Sequence, residues 1–475
     1  MTPTAHPATH CGATRRSFTA SLLLLSLGGC AVGPRYAGPP AIDTPAGFKA
    51  GQGEWVRAVP ADALTRGPWW RLFDDPLLDG LAQRVESSNP TLAGAAAAYA
   101  QARALTVEQR ATLFPSVSLD TGANRSGGRG ATPERRSYQV GIGASWEPDV
   151  FGRIGRGVTA TQAAEQASLA DLASVRLALQ GELAVNYFNL READAQRAIL
   201  GATITGFQRT LQIAQNRYNA GIVARTDVLQ AQTQLANAQA DLLGVERLRA
   251  QLEHAIAVLV GSAPSNFVIE PLAQWRPVVP EVPFDVPSTL LQRRPDIASA
   301  ERRVAQANEQ IGIAQSGYFP SLRLSGSAGQ GAASIGDLFS VSALVWSLGA
   351  SLAQTVFNAG ATGARVERTR AALAEASANY RGTVLRAFQE VEDQLVAARI
   401  LAQQQMLRQQ ASEAADLVEQ QVLNRYQAGQ VSFTEVVTAQ AIAANARRAL
   451  LQAQVDRQTA AVALIQALGG GWSGL

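Results

Sequence analysis

The chain has 475 residues, of which 47% are hydrophobic, and it carries 41 basic and 38 acidic side chains for a formal net charge of +3. This near balance excludes the large basic surface that nucleic-acid binding requires. With two cysteines and three histidines in the whole chain, few residues are available for thiol or imidazole chemistry.

The first 29 residues have the pattern of a signal peptide. Arg15 and Arg16 precede an apolar run at residues 20–27, which is too short to span a bilayer as a helix. The run ends in Leu-Gly-Gly-Cys at Cys30, which resembles a bacterial lipobox, in which the cysteine becomes the lipidated first residue of the mature chain. The alternative is a plain secretory signal in which the cysteine is incidental. Residues 14–18 resemble a twin-arginine signal, so export by the Sec or by the twin-arginine system stays open. No aspartate follows Cys30, which by resemblance to sorted lipoproteins implies the outer membrane.

Loss of the leader leaves a nearly neutral mature chain with 39 basic and 38 acidic side chains. Cys11, His6 and His10 leave with the leader, and lipid would occupy Cys30. His254 is then the only histidine, and on an alanine- and leucine-rich helix it is typical of a surface position rather than a metal or catalytic site. We therefore expect no enzyme activity, no catalytic or metal site, no nucleic-acid partner and no cofactor beyond the covalent lipid on Cys30.

The mature sequence contains a duplication. The sequence FPSVSL at 114–119 returns as FPSLRL at 319–324, and NRYNAG at 216–221 returns as NRYQAG at 424–429. Each copy is far longer than a solenoid unit, so the pattern predicts a duplicated domain that closes into one body. The predicted parts are a signal peptide at 1–29, a lipidated N-terminal segment at 30–89, a first repeat at 90–260, a linker at 261–294, a second repeat at 295–468 and a tail at 469–475.

Each FPS motif begins a segment in which apolar residues alternate with small or polar ones. The four predicted strands lie at residues 116–123, 137–146, 322–328 and 344–352. Such strands, with glycine-rich loops between them, are typical of transmembrane barrels, although a soluble antiparallel sheet with one wet face has the same period. Four strands cannot close a barrel and eight are filled by their own side chains. Three chains supply twelve strands, which predicts a homotrimer.

The rest of each repeat is predicted to be helical, because apolar residues recur at spacings of three and four. The helices pair by length, at 155–218 with 361–426, at 222–259 with 431–468, and at 90–113 with 295–318. The longest would extend roughly 95 Å at 1.5 Å per residue, and a medium helix stacked on a short one matches that length. Their apolar positions are mostly alanine, which favours a wall of closely spaced helices over a coiled-coil rod.

Several separated motifs together resemble one family. They are VGPRY at 32–36, WWRLFDDPLL at 69–78, RRPDI at 293–297, Ile-Gly at 311–312 and FPSL at 319–322. In order and spacing they are similar to those of the outer membrane factors of tripartite efflux pumps, the TolC-like family. The lipobox resembles that of the NodT-type lipoproteins that serve resistance-nodulation-division (RND) pumps.

The resemblance implies a mainly α-helical trimer with a membrane β-barrel. Its twelve-stranded barrel would lie in the outer membrane, and a long helical barrel would extend through the periplasm. A mixed equatorial belt would form from residues 31–89, 260–294 and the tail after 469. The implied function is a passive exit duct that works with a periplasmic adaptor protein and an inner-membrane RND pump, which supplies the energy.

The resemblance also places a closed gate at the periplasmic tip, where a long helix gives way to a medium one. The matching gate positions are Thr226, Asp227, Tyr426, Ser432 and Glu435, and the tip positions matching adaptor contacts are Gly221, Ile222, Gly429 and Gln430. Asp227 is expected to accept a hydrogen bond from Tyr426 and to hold neighbouring helix pairs together.

Two interpretations of Glu435 stay open on the sequence alone. Repeated around a threefold axis, its carboxylate would form an acidic ring that selects cations. The sequence Ser432-Phe433-Thr434-Glu435 is also a capping box, which needs no gate. Asp227 likewise suits the first turn of any helix, because it favours the helix dipole.

Two other functions fit the sequence. A type I secretion exit duct shares the implied fold, and flanking genes for an adaptor and either an RND pump or an ABC exporter would separate the two. A lipid-anchored tether without a pore would give no single-channel conductance.

Overall fold

The computed structural model describes residues 32–42, 67–127, 134–272, 274–280, 294–340 and 344–470. The predicted leader and Cys30 lie outside these ranges. So do the parts of the predicted equatorial belt at 43–66 and 281–293, and the end of the tail at 471–475.

The two repeats fold into matching sets of helices. The main helices of the described ranges are α1 (Pro76–Ser88), α2 (Pro90–Ala111), α3 (Arg153–Asn219), α4 (Arg225–Leu259), α5 (Pro295–Gln315), α6 (Ala361–Gln427) and α7 (Phe433–Ala467). Helices α3 and α6 have 67 residues each, and α4 and α7 have 35 each. The predicted helix pairs are confirmed, with ends that differ by up to three residues.

Four antiparallel strands form one sheet in the order β1 (Ser116–Ser126), β2 (Arg135–Trp146), β3 (Ser321–Ala332) and β4 (Leu344–Ala353). One line of paired residues across the sheet consists of Leu119, Ile142, Ala328 and Trp346. The next line consists of Ser118, Gly143, Ser327 and Ser347. Because side chains alternate between faces along a strand, one face of the sheet is apolar and the other is small and polar, as predicted. In the single chain the apolar face is uncovered, with Leu119 and Trp346 each 69% exposed.

The chain divides into two compact units, and each takes residues from both repeats. The first unit comprises Met1–Pro40, Ala100–Ala167 and Glu301–Asn379, and it holds the sheet. The second comprises Ala41–Tyr99, Ser168–Ala300 and Tyr380–Leu475. None of the described helices is long and apolar enough to cross a membrane.

The largest apolar core lies in the second unit. Aromatic residues at positions 69–73, before α1, pack there against α3, and the ring centroids of Phe73 and Phe188 are 4.8 Å apart. Leu183 from α3, Ile256 from α4 and Ile465 from α7 are fully buried in the same core. Both repeats therefore contribute to one hydrophobic cluster, which gives a physical reason why neither copy is a separate domain.

In the second unit, equivalent hydrogen bonds join the residue before a short helix to the end of a medium helix in both repeats. Asn89 donates from Nδ2 to the carbonyl of Leu259, the last residue of α4, over 2.8 Å. Arg294, which precedes α5 as Asn89 precedes α2, donates from Nη1 to the carbonyl of Ala467, the last residue of α7, over 3.0 Å. These bonds satisfy carbonyls that a helix end leaves without partners.

Candidate gate at the helix tips

Two glycine turns connect α3 to α4 and α6 to α7. Gly221 and Gly429 have φ angles of 71° and 73°, in the left-handed region that glycine adopts without a steric penalty. The amide of Ile222 donates to the carbonyl of Arg217, and the amide of Gln430 donates to that of Arg425, each over 2.9 Å. This is the Schellman pattern of helix termination, so the sequence itself ends both long helices at this place.

The predicted adaptor-contact residues lie on the outside of these turns. Gly221, Ile222, Gly429 and Gln430 are all exposed, and Ile222 shows 63% of its surface to solvent. An apolar side chain this exposed at a turn is available to a partner protein.

Beneath the turns, the four helix ends share a small core. Tyr426 at the end of α6 and Phe433 at the start of α7 are 2% and 3% exposed, and their ring centroids are 5.7 Å apart. Ala214 from α3 and Val228 from α4 pack into the same cluster. The two repeats therefore meet at the tip through Tyr426, one of the predicted gate residues.

A residue that sequence reasoning did not single out holds Tyr426 in place. The guanidinium carbon of Arg217 lies 4.8 Å from the centroid of the Tyr426 ring, and its Nη1 donates to the Tyr426 carbonyl over 3.1 Å. The repeated Asn-Arg-Tyr sequence at 216–218 and 424–426 was the available signal. It could not show that the arginine of the first copy contacts the tyrosine of the second.

The hydroxyl of Tyr426 is buried and has no hydrogen-bond partner among the described residues. Burial raises its pKa above the usual value, the Arg217 charge lowers it, and the nearby Asp227 carboxylate raises it. The expected bond from Tyr426 to Asp227 is therefore not formed within this chain, although Asp227 is near enough to act on the ring electrostatically. A buried donor without a partner carries a free-energy cost.

Glu435 forms the predicted capping box at the start of α7. The Ser432 amide donates to Glu435 Oε1 over 3.2 Å, and the Ser432 hydroxyl lies 3.3 Å from the same atom. Both residues are exposed, as is Thr226. The Thr438 hydroxyl donates to the carbonyl of Thr434 over 2.8 Å. The capping geometry leaves the Glu435 carboxylate at the surface, where its charge also faces solvent.

A second polar cluster in the same unit is buried, and no sequence motif pointed to it. The Asp194 side chain is 1% exposed and bonds to Arg191 over 2.9 Å and to Arg249 over 2.7 Å. The same carboxylate accepts the Leu272 amide over 3.2 Å, and Arg249 donates to the carbonyl of Ile269. The cluster thus joins α3, α4 and the segment after α4, with each charge paired as burial demands.

An extension of this cluster reaches the start of α1. The Tyr187 hydroxyl donates to Asp75 Oδ2 over 2.6 Å and accepts from Arg191 Nε over 3.1 Å. Burial raises the pKa of Tyr187, and the Asp75 carboxylate raises it further. Asp75 also caps α1 by accepting the Leu77 amide over 3.0 Å.

His254 is exposed, and no three histidine, cysteine or acidic side chains come together as a metal site in the part of the chain that the structure describes.

The sequence profile of the outer membrane efflux protein family matches residues 81–262 and 286–470, which is most of the chain. The chain belongs to the outer membrane efflux protein family. The solvent efflux pump outer membrane protein SrpC of Pseudomonas putida is 32% identical over 467 residues, with 95% of this chain and 97% of SrpC covered. The pyoverdine export outer membrane protein OpmQ of Pseudomonas aeruginosa is 32% identical over 453 residues, with 90% and 94% covered.

The structure of the outer-membrane channel OprN superimposes on this efflux protein with a TM-score of 0.84 at 30% identity, and 94% of this chain and all of OprN are covered. The predicted TolC-like fold is confirmed. The protein is an outer membrane efflux channel, which places it in the outer membrane. The two matched ranges reproduce the duplication found in the sequence.

Proposed function

We propose that three copies of this efflux protein form the exit duct of a tripartite RND-type pump. The observation that carries the proposal is the sheet of four strands with an uncovered apolar face and a small, polar opposite face. A single chain cannot bury that face or close that sheet, and three chains supply the twelve strands of a water-filled barrel. The apolar face would then contact lipid and the polar face would line the duct.

The duct is proposed to be passive and without catalytic activity. Transport energy would come from an inner-membrane RND pump, and a periplasmic adaptor protein would contact the exposed turns at Ile222 and Gln430. The similarity to proteins named as solvent efflux and pyoverdine export components supports an efflux pump over a type I secretion system. The cargo would be small molecules selected by the pump.

The proposed gate is the tip cluster around Tyr426. In the closed gate, Asp227 of one copy would accept a hydrogen bond from Tyr426 of the next, which requires that assembly bring the buried Tyr426 hydroxyl to the surface of its chain. Three Glu435 side chains would add an acidic ring to this gate, and Ser432 and Thr226 would lie beside it.

Lipidation at Cys30 is proposed as a second membrane attachment beside the barrel. A Cys30→Ala variant should then lose palmitate labelling and still trimerise in the membrane, because the barrel itself anchors the protein. Full release of that variant into the periplasm would contradict the membrane barrel.

Single-channel recording in a planar bilayer tests the duct itself. Purified protein should give discrete conductance steps from a species whose mass is that of three chains. A matched variant with Leu348→Asp, on the exposed apolar face of β4, should insert poorly because a charge on a lipid-facing strand is costly. An intact trimer that inserts and conducts no ions would overturn the proposal in favour of a tether.

A further inference from the structure

We propose that Arg156 is a clamp that fastens the start of the mature chain, residues 32–36, to helices α3 and α5. We call these five residues the strap. The clamp holds the strap beside the segment that follows β2. A lipid on Cys30 would then enter the bilayer at a fixed place. This consequence rests on the proposed lipidation of Cys30, whereas the contacts of Arg156 with the strap do not depend on it.

The guanidinium of Arg156 contacts the strap backbone at two successive residues. Nη2 donates to the carbonyl of Gly33 and Nη1 to the carbonyl of Pro34, each over 3.0 Å. Nη1 also bonds to Glu309 Oε2 of α5 over 2.7 Å, and Asn308 donates to the Pro34 carbonyl over 3.3 Å. Arg156 is only 8% exposed. Its planar fork of donors suits two carbonyls side by side.

The strap lies so close to α5 that only glycine fits at the contact. A Cβ atom on Gly33 would be 2.5 Å from the Cα atom of Gly312, and one on Gly312 would be 2.4 Å from the Arg156 side chain. Gly33 also has a φ of 115°, which L side chains rarely adopt. The VGPRY motif at the start of the mature chain and the Ile-Gly motif of α5 therefore meet in space, and Arg156 covers their contact.

The first described residue of the strap is fixed at the boundary between sheet and helices. The Val32 amide donates to the carbonyl of Phe151 over 3.2 Å. Phe151 follows β2 and stacks on Phe319, which precedes β3, with ring centroids 5.0 Å apart. Cys30 is two residues before Val32, a reach of at most about 7 Å. A lipid on Cys30 would therefore begin within about this distance of Val32.

Further along the strap, Tyr36 donates from its hydroxyl to Glu301 Oε1 of α5 over 3.0 Å. Arg35 lies between these attached residues, and its side chain is exposed. The bond between Arg35 and Tyr36 is a trypsin site, but a protease needs a segment of extended, freely accessible backbone. The clamp should therefore protect a site whose side chain is exposed.

Limited trypsin digestion of the folded, detergent-purified trimer tests the clamp, with the intact mass of the chain as readout. The wild type should keep its N terminus. In Arg156→Gln/Glu309→Gln, which removes both buried charges together, cleavage after Arg35 should be faster by at least about tenfold, equivalent to about 1.4 kcal/mol less stabilisation of the docked strap. Arg153→Gln is the matched control, because Arg153 is on the same helix and pairs instead with the partly exposed Glu147.

A second variant separates the clamp from a simple ion pair between α3 and α5. Arg156→Lys retains a charge beside Glu309, but a point charge cannot hold two carbonyls as the fork does. It should melt near the wild-type temperature and still be cleaved faster after Arg35. Cleavage at the wild-type rate in both variants, or rapid cleavage of the wild type, would overturn the clamp. The mass of the released peptide reports lipidation separately, so an unmodified Cys30 would refute the lipid anchor and leave the clamp test intact.

Discussion

Arg217 and Tyr426 join the two repeats at the tip, with the guanidinium carbon 4.8 Å from the ring centroid and a hydrogen bond of 3.1 Å to the backbone carbonyl. The first repeat contributes the arginine of this contact and the second contributes the tyrosine. Arg425 occupies the matching place in the second repeat and is exposed. The duplicated sequence has therefore acquired different roles for the same arginine in its two copies.

Arg217→Gln should loosen the tip without unfolding the protein. The variant loses a cation–π contact, which is worth about 0.5–2 kcal/mol, and a hydrogen bond from a charged donor. Hydrogen exchange at the amides of residues 214–228 and 422–436 should become faster, and exchange in the large core around Phe188 should stay as it is. Arg425→Gln serves as the control with the same charge change. Equal effects of the two variants would mean that charge, not the contact with Tyr426, stabilises the tip.

The double variant Tyr426→Phe/Asp227→Ala tests the proposed bond between protomers. Among the described residues the Tyr426 hydroxyl has no hydrogen-bond partner, so its loss should barely change the melting temperature of the monomeric fold. A charge-assisted bond between chains is worth about 1.5–3 kcal/mol, and three copies would act together on the closed gate. Conductance should rise, and cells should become sensitive to large antibiotics. Conductance equal to that of the wild type would remove Tyr426 and Asp227 from the gate.

Glu435→Gln separates the acidic ring from the helix cap. Glutamine can retain the capping box, since its amide oxygen also accepts the Ser432 amide, so the melting temperature should change little. Loss of three negative charges should lower the cation preference and weaken block by trivalent cations. Glu435→Ala is the control that removes the cap as well. If Glu435→Gln lowers stability and leaves ion selectivity unchanged, the residue is only a cap.

Local sequence signals predicted the helix pairs, the strands and the turns, because each depends on residues close together in the chain. Gly221 ends a helix through its own φ angle, and Leu119 faces the apolar side through a period of two. Arg156, Arg217 and Asp194 were not predicted as contact residues. Arg156 and Arg217 contact Gly33 and Tyr426, which are more than a hundred positions away. Asp194 bonds to Arg249, which lies on another helix. Only tertiary packing decides which of many arginines meets a given carbonyl, carboxylate or ring.

Asp194→Asn should destabilise the second unit strongly. Asparagine keeps the shape of the side chain but leaves Arg191 and Arg249 buried without their shared counter-charge, and breaking a buried pair costs about 3–5 kcal/mol. Thermal unfolding should begin at a clearly lower temperature. Asp241→Asn is the control, because Asp241 pairs with Arg448 over 3.5 Å at an exposed site, where a pair is worth about 0–1 kcal/mol. Similar losses in both variants would contradict a special role for burial at Asp194.

Glu192 provides a test of pH dependence. It is on α3, is buried, and accepts a hydrogen bond from Gln196 over 2.8 Å. Burial raises its pKa above the usual value, the bond from Gln196 opposes this, and the Asp456 carboxylate raises it further. A carboxyl whose pKa is higher in the folded state destabilises the fold when it is ionised, and this cost disappears as the pH falls through the folded pKa towards the unfolded one.

Glu192→Gln should therefore raise the melting temperature at pH 7, and the advantage over the wild type should shrink as the pH is lowered towards 4, the range of an ordinary carboxyl. The measurement is a series of thermal unfolding curves for both proteins between these pH values. Glu182→Gln, at an exposed position of the same helix, should show no such trend. A stabilisation by Glu192→Gln that is constant across the series would mean that packing, not the ionised carboxylate, is what the substitution changes.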